Sequence, residues 1–194
     1  MNNISSSKRN DILKTAHDLF WKHGIKRVSI EEICKDAGVS KMTFYKFFPN
    51  KIELVKTILD NLIEESITKL NQILASKIPF SEKLKQLFLM KIEGMDNFSM
   101  EFMNDIYTNP ETGLKEYMEE KQMNSMGIII DFYKDSQKKG FIRKEVKIDF
   151  ILAYSAQIFK LMEDKNLIAQ YNQPQDFVLE SMNLLFYGIV TGNE

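Results

Sequence analysis

Residues 29–51 read Ser-Ile-Glu-Glu-Ile-Cys-Lys-Asp-Ala-Gly-Val-Ser-Lys-Met-Thr-Phe-Tyr-Lys-Phe-Phe-Pro-Asn-Lys. Ser29 with Glu32 three residues on is a capping box, so a helix starts here. Its inner face is Ile30, Ile33, Cys34 and Ala37. Gly38-Val39-Ser40 makes a tight turn, in which Gly38 reverses the chain without a Cβ clash and Val39 fills the wedge between helices. Ser40 caps a second short helix over Lys41–Phe47, and Pro49 ends it. Two short helices joined in this way form a helix-turn-helix. The second helix of such a motif offers its N-terminal half to a DNA major groove while the first lies across the backbone.

The rest of the chain has helical period throughout, and no run of alternating strand residues appears. A first helix over about 7–23 carries the stripe Ile12, Ala16, Leu19, Phe20 and stops at Gly24. Asn50 caps a long fourth helix with no Gly or Pro from Lys51 to Ile78. Further helices are expected over 81–93, 97–107, 110–139, 147–170 and 174–191. The fold class is therefore all-α, about nine helices. A head over 1–50 precedes a body over 51–194, with the helix 51–78 as connector.

The 194 residues are 44% apolar and 27% charged, a soluble globular balance that excludes disordered and membrane-spanning classes. Cys34 is the one cysteine, so no internal disulfide forms. The N-terminus has no apolar core of a secretory signal, and a cytoplasmic location is expected. The net charge of −1 hides an asymmetry. Residues 1–56 hold eleven Lys and Arg against six Asp and Glu, while the remainder is acidic. A basic head on an acidic body suits a polyanionic partner.

Residues 12–54 resemble the DNA-binding head of TetR-family transcriptional regulators. The resemblance rests on Ala16, Leu19-Phe20, Gly24, Ser29, Ile33, Ala37-Gly38-Val39-Ser40, Tyr45, Phe48, Lys51 and Leu54. It implies a homodimer that binds double-stranded operator DNA and answers to a small-molecule effector, most commonly as a repressor. The pattern is departed from at Met42, where the family has a small residue or proline, and at Phe47, where it often has histidine.

On that reading Lys41, Lys46 and Lys51 meet phosphates, Lys51 especially, and Tyr45 gives its hydroxyl to another. Ser29 and Ser40 either hold phosphate at helix N-termini or act only as caps. Met42 and Thr43 are placed to touch base edges. Phe44 is either a base contact or a core residue.

In the body, Ile151, Ser155, Ile158 and Met162 and then Val178, Met182, Leu185 and Ile189 repeat at helical spacing. They are expected to form an intersubunit four-helix bundle. Seven of the eleven methionines lie between Met90 and Met126, among many aromatics. Flexible thioethers line adaptable apolar cavities. A pocket for a bulky, largely apolar molecule is expected from Phe88, Met95, Phe98, Phe102, Met103, Tyr107, Met126, Phe132, Tyr133, Tyr154 and Phe159. No Gly-rich phosphate loop, nucleophile elbow or Cys/His metal cluster is present, so neither an enzyme nor a cofactor or metal is expected. The alternatives are a helical dimeric interaction protein and an activator without small-molecule induction.

Overall fold

A computed structural model describes residues 2–96 and 99–189. Among them are ten α-helices and no β-strand. The helices are α1 (Asn2–His23), α2 (Ile30–Asp36), α3 (Lys41–Phe47), α4 (Lys51–Ala75) and α5 (Phe80–Asp96). They continue with α6 (Met100–Thr108), α7 (Leu114–Lys138), α8 (Ile148–Leu161), α9 (Lys165–Ile168) and α10 (Pro174–Ile189).

Several boundaries differ from the sequence expectation, three of them for a visible local reason. α4 stops at Ala75, where the Ser76 hydroxyl donates to the Ile73 carbonyl and Lys83 Nζ to the Leu74 carbonyl, both at 2.6 Å. Those side chains satisfy carbonyls that further helix would have satisfied. A 3-10 turn over Pro110–Thr112 precedes α7. The expected helix 147–170 breaks at Met162–Asp164, because the Asp164 carboxylate accepts the N–H groups of Asn166 and Leu167 and so starts α9.

The chain folds as two compact units, each drawn from two stretches of sequence. One comprises residues 1–67 and 95–123, the other 68–94 and 124–194. The core of the first gathers Ile12, Ala16 and Phe20 from α1, Ile33 from α2 and Phe44 from α3. Leu54, Val55 and Leu59 of α4, Phe102 and Ile106 of α6, and Leu114 and Met118 of α7 complete it. Phe102 is wholly buried, its ring 4.3 Å from Trp21, which in turn stacks on His17 at 4.1 Å. Truncating a ring so enclosed costs about 3–5 kcal/mol. α6 is thus an integral part of the unit that carries the helix-turn-helix.

The second unit has its own core, built from Phe80, Leu84, Phe88 and Ile92 of α5 and Tyr133 of α7. Ile151, Ile158 and Phe159 of α8, with Phe177, Val178, Met182 and Leu185 of α10, close it. Phe80 stacks on Phe141 at 5.2 Å and Phe88 on Phe159 at 5.8 Å.

Candidate functional site

The turn between α2 and α3 follows the sequence signals closely. Ser29 Oγ accepts the Glu32 N–H at 3.1 Å, and Ser40 Oγ accepts the Thr43 N–H at 3.1 Å. Both serines are therefore side-chain N-caps. Gly38 takes φ +64, a left-handed conformation that a side chain disfavours, and the Val39 N–H then reaches the Cys34 carbonyl at 2.9 Å.

α3 is divided sharply between an inner and an outer side. Phe44 is fully buried, edge-on to Tyr45 at 5.4 Å and packed near Phe48 at 5.8 Å. Phe44 is thus a core residue in this structure, one of its two sequence readings. Outward stand Met42 at 76% exposure and Tyr45 at 53%, flanked by exposed Lys41 and Lys46. Thr43 is half-buried and its hydroxyl lies 2.9 Å from Ser40 Oγ, so part of its bonding capacity serves the cap. Lys41 is paired with Glu31 of α2 through its ammonium. That hydrogen bond holds the Glu31 carboxyl below its ordinary pKa and raises that of Lys41.

Lys51, of which a phosphate contact is expected, is held by the loop before α2. Its ammonium donates to the carbonyls of Ile25 at 2.7 Å and Val28 at 2.8 Å. Burial lowers its pKa, and the charge of Asp105 acts in the opposite direction. Lys51 thus ties the first turn of α4 to the loop between α1 and α2, a role its sequence neighbourhood does not reveal.

The same loop is held from a second side. The Lys26 N–H donates to Asp105 Oδ2 at 2.8 Å, across 79 residues of sequence. The side chains of Lys26 and Arg27 point the loop's positive charge outward, next to Ser29. Sequence reading passed over both cations, although two consecutive basic residues directly before a helix N-cap are a legible signal. Asp105 had no such signal, because its partner is remote in sequence.

Most of the residues expected to pair subunits pack within the chain's own second unit. Ile151, Ile158, Val178, Met182 and Leu185 are all buried in the second unit's own core. Ser155 is half-buried and donates to the Ile151 carbonyl at 2.7 Å, and Met162 packs half-buried against the same core. Apolar side chains left outward on these helices are instead Phe150, Tyr154 and Leu161 of α8 and Leu184 of α10. Phe150, Tyr154 and Leu184 border a groove of about 500 Å³.

The described residues expected to line a pocket are divided between the two units. Phe102 and Met103 pack in the first unit's core, and Tyr107 is exposed on α6. Phe88, Phe132, Tyr133 and Phe159 do lie together in the second unit. Met126 and Tyr154 are exposed. Phe98, with the side chains of Met95 and Ile189, lies outside the described residues. A separate groove of about 400 Å³ runs between α4 and α5, lined by Lys69, Gln72, Ile73, Gln86, Met90 and Glu93 among others. None of these belongs to the expected set. Burial pushes the Tyr133 phenol up to about 12 and raises the Cys34 thiol. Among the described residues no three His, Cys, Asp or Glu are grouped to hold a metal ion, and no helix is long and apolar enough to cross a membrane.

Comparison with known proteins agrees with this geometry. Residues 12–58 match the sequence profile of bacterial regulatory proteins, tetR family. The HTH-type transcriptional repressor KstR2 of Mycobacterium tuberculosis is 20% identical over 154 residues, covering 77% of this chain and 76% of that protein. The HTH-type transcriptional regulator TtgR of Pseudomonas putida is 39% identical over 56 residues, 29% of this chain and 27% of that one. The structure of the fatty acid degradation regulator FadR from Bacillus halodurans superposes with a TM-score of 0.68 at 18% identity, over 93% of this chain and 95% of that one.

Proposed function

We propose that this chain, whose residues 12–58 match the profile of bacterial regulatory proteins, tetR family, is a regulator of that kind: a homodimeric, cytoplasmic repressor that leaves its operator when a small molecule binds. The observation that carries the reading is the two-sided α3. Phe44 fixes it to the core while Met42, Tyr45 and Lys46 face outward. Met42 supplies an apolar contact for a base edge, and Tyr45, Lys41 and Lys46 supply phosphate contacts. Lys26 and Arg27 add exposed positive charge in the loop before α2.

One head reads too few base pairs for useful specificity, so two must act together. The outward stripe Phe150, Tyr154, Leu161 and Leu184 is the surface proposed for the pairing. The effector is proposed to be bulky and largely apolar, entering the second unit among Phe88, Phe132, Tyr133 and Phe159. Its coupling to DNA would be of the usual size, about 1–3 kcal/mol, equal in both directions.

Footprinting on the DNA that flanks the protein's own coding region tests the reading. Two protected half-sites about one helical turn apart are expected, with protection lost in Met42→Ala/Tyr45→Ala. Absence of binding to any duplex at low salt would overturn it.

A further inference from the structure

The loop between α1 and α2, residues 24–29, sets where α2 begins and hence where Ser29, Lys26 and Arg27 stand. Three contacts fix it. Lys51 Nζ holds the carbonyls of Ile25 and Val28, and Asp105 Oδ2 holds the Lys26 N–H. The third is an absence of side chain at Gly24. A Cβ there would stand 2.6 Å from Asp105 Oδ2 and 3.4 Å from the Glu101 carbonyl oxygen, and the residue sits at φ +78. α6 therefore reaches the loop because position 24 is glycine on two counts, its conformation and the room it leaves. The N-cap of α6, Ser99 accepting the Phe102 N–H at 3.0 Å, and the buried Phe102 ring against Trp21 hold Asp105 in place.

We infer that Asp105 is a positioning residue for the DNA-reading helices, fixing through the Lys26 N–H the loop from which α2 starts. This rests on the DNA-binding function proposed above. A carboxylate accepting a backbone N–H makes a strong, directional bond, roughly twice that between neutral groups. An exposed loop held by such a bond presents its cations in one arrangement, so the ordering entropy is met on folding and not on DNA binding. α6 lies far from α2 in sequence, yet its placement dictates theirs.

The test uses the full chain with Asp105→Ala and Asp105→Asn. Amide hydrogen exchange at Lys26 is read in free protein, and affinity is read on a pool of random-sequence duplexes at low salt, well below the melting temperature. In the wild type the Lys26 amide should be protected although its side chain is exposed. In Asp105→Ala it should exchange about five- to tenfold faster, and duplex affinity should fall by a similar factor. Asp105→Asn keeps a neutral acceptor oxygen and should restore both to within about threefold. Rapid Lys26 exchange in the wild type overturns the inference without any variant, so a misfolded Asp105→Ala leaves it decidable. Faster exchange with undiminished affinity also overturns it. A wild type that protects Lys26 but binds no duplex refutes the DNA-binding reading, and with it the positioning role, while leaving the loop contact established.

Discussion

Glu31 on α2 and Lys41 at the first position of α3 form a hydrogen-bonded ion pair across the Gly38 turn. A carboxylate therefore neutralises one of the cations on the face proposed to meet DNA. Removing it with Glu31→Gln should tighten binding to duplex DNA and steepen the log–log salt dependence by about one ion per head. Fluorescence anisotropy over a salt series measures both. An unchanged slope would mean that Lys41 does not reach phosphate.

Lys51 holds two loop carbonyls, so its loss should act on stability and not on ionic contacts. Lys51→Met should cost about 1–2 kcal/mol in urea unfolding and leave the salt slope of DNA binding as it was. A slope reduced by a full ion would return Lys51 to the phosphate contacts that sequence resemblance implied.

Tyr133 is buried in the second unit with its phenol pushed up to about 12. The unfolded chain ionises near the ordinary value of 10, so it loses the proton first as pH rises. Stability present below pH 10 should then drain away between pH 10 and about 12, by roughly 2–3 kcal/mol. Tyr133→Phe should flatten that decline in urea titrations across the alkaline range. An equal decline in both proteins would assign it elsewhere.

Leu184 is 68% exposed on α10, whereas Val178 on the same helix is fully buried. The wild type should sediment as the proposed dimer, and Leu184→Asp should give a folded monomer by sedimentation velocity. Val178→Asp should unfold the second unit instead, because an unpaired charge in an apolar core is strongly destabilising. A dimer that persists in Leu184→Asp would place the pairing surface elsewhere.

The head was legible because its signals are local. Ser29, Gly38, Ser40 and Asn50 each direct the backbone within a few residues, and each is found in that role. Phe44 was ambiguous, since an aromatic in a short helix suits groove or core until the neighbouring helices are placed. The outward face of α8 was illegible for a different reason. Ile151, Ile158 and Phe159 are apolar, and so are Phe150, Tyr154 and Leu161, so periodicity offers two stripes and no rule for choosing between them. The methionine and aromatic content of 88–133 likewise describes core and cavity equally well. Asp105 was beyond sequence reasoning altogether, because a carboxylate on an amphipathic helix gives no hint of a loop 79 residues earlier.

The helix-turn-helix unit is assembled from two stretches of chain, residues 1–67 and 95–123, separated by a piece of the other unit. A chimera that grafts this head onto a foreign body at residue 67 would leave behind Phe102, Ile106, Leu114 and Met118 and bare the side of α1 around Trp21. Transplanting the reading specificity calls for carrying both segments together, so in engineering terms the head is not an N-terminal cassette.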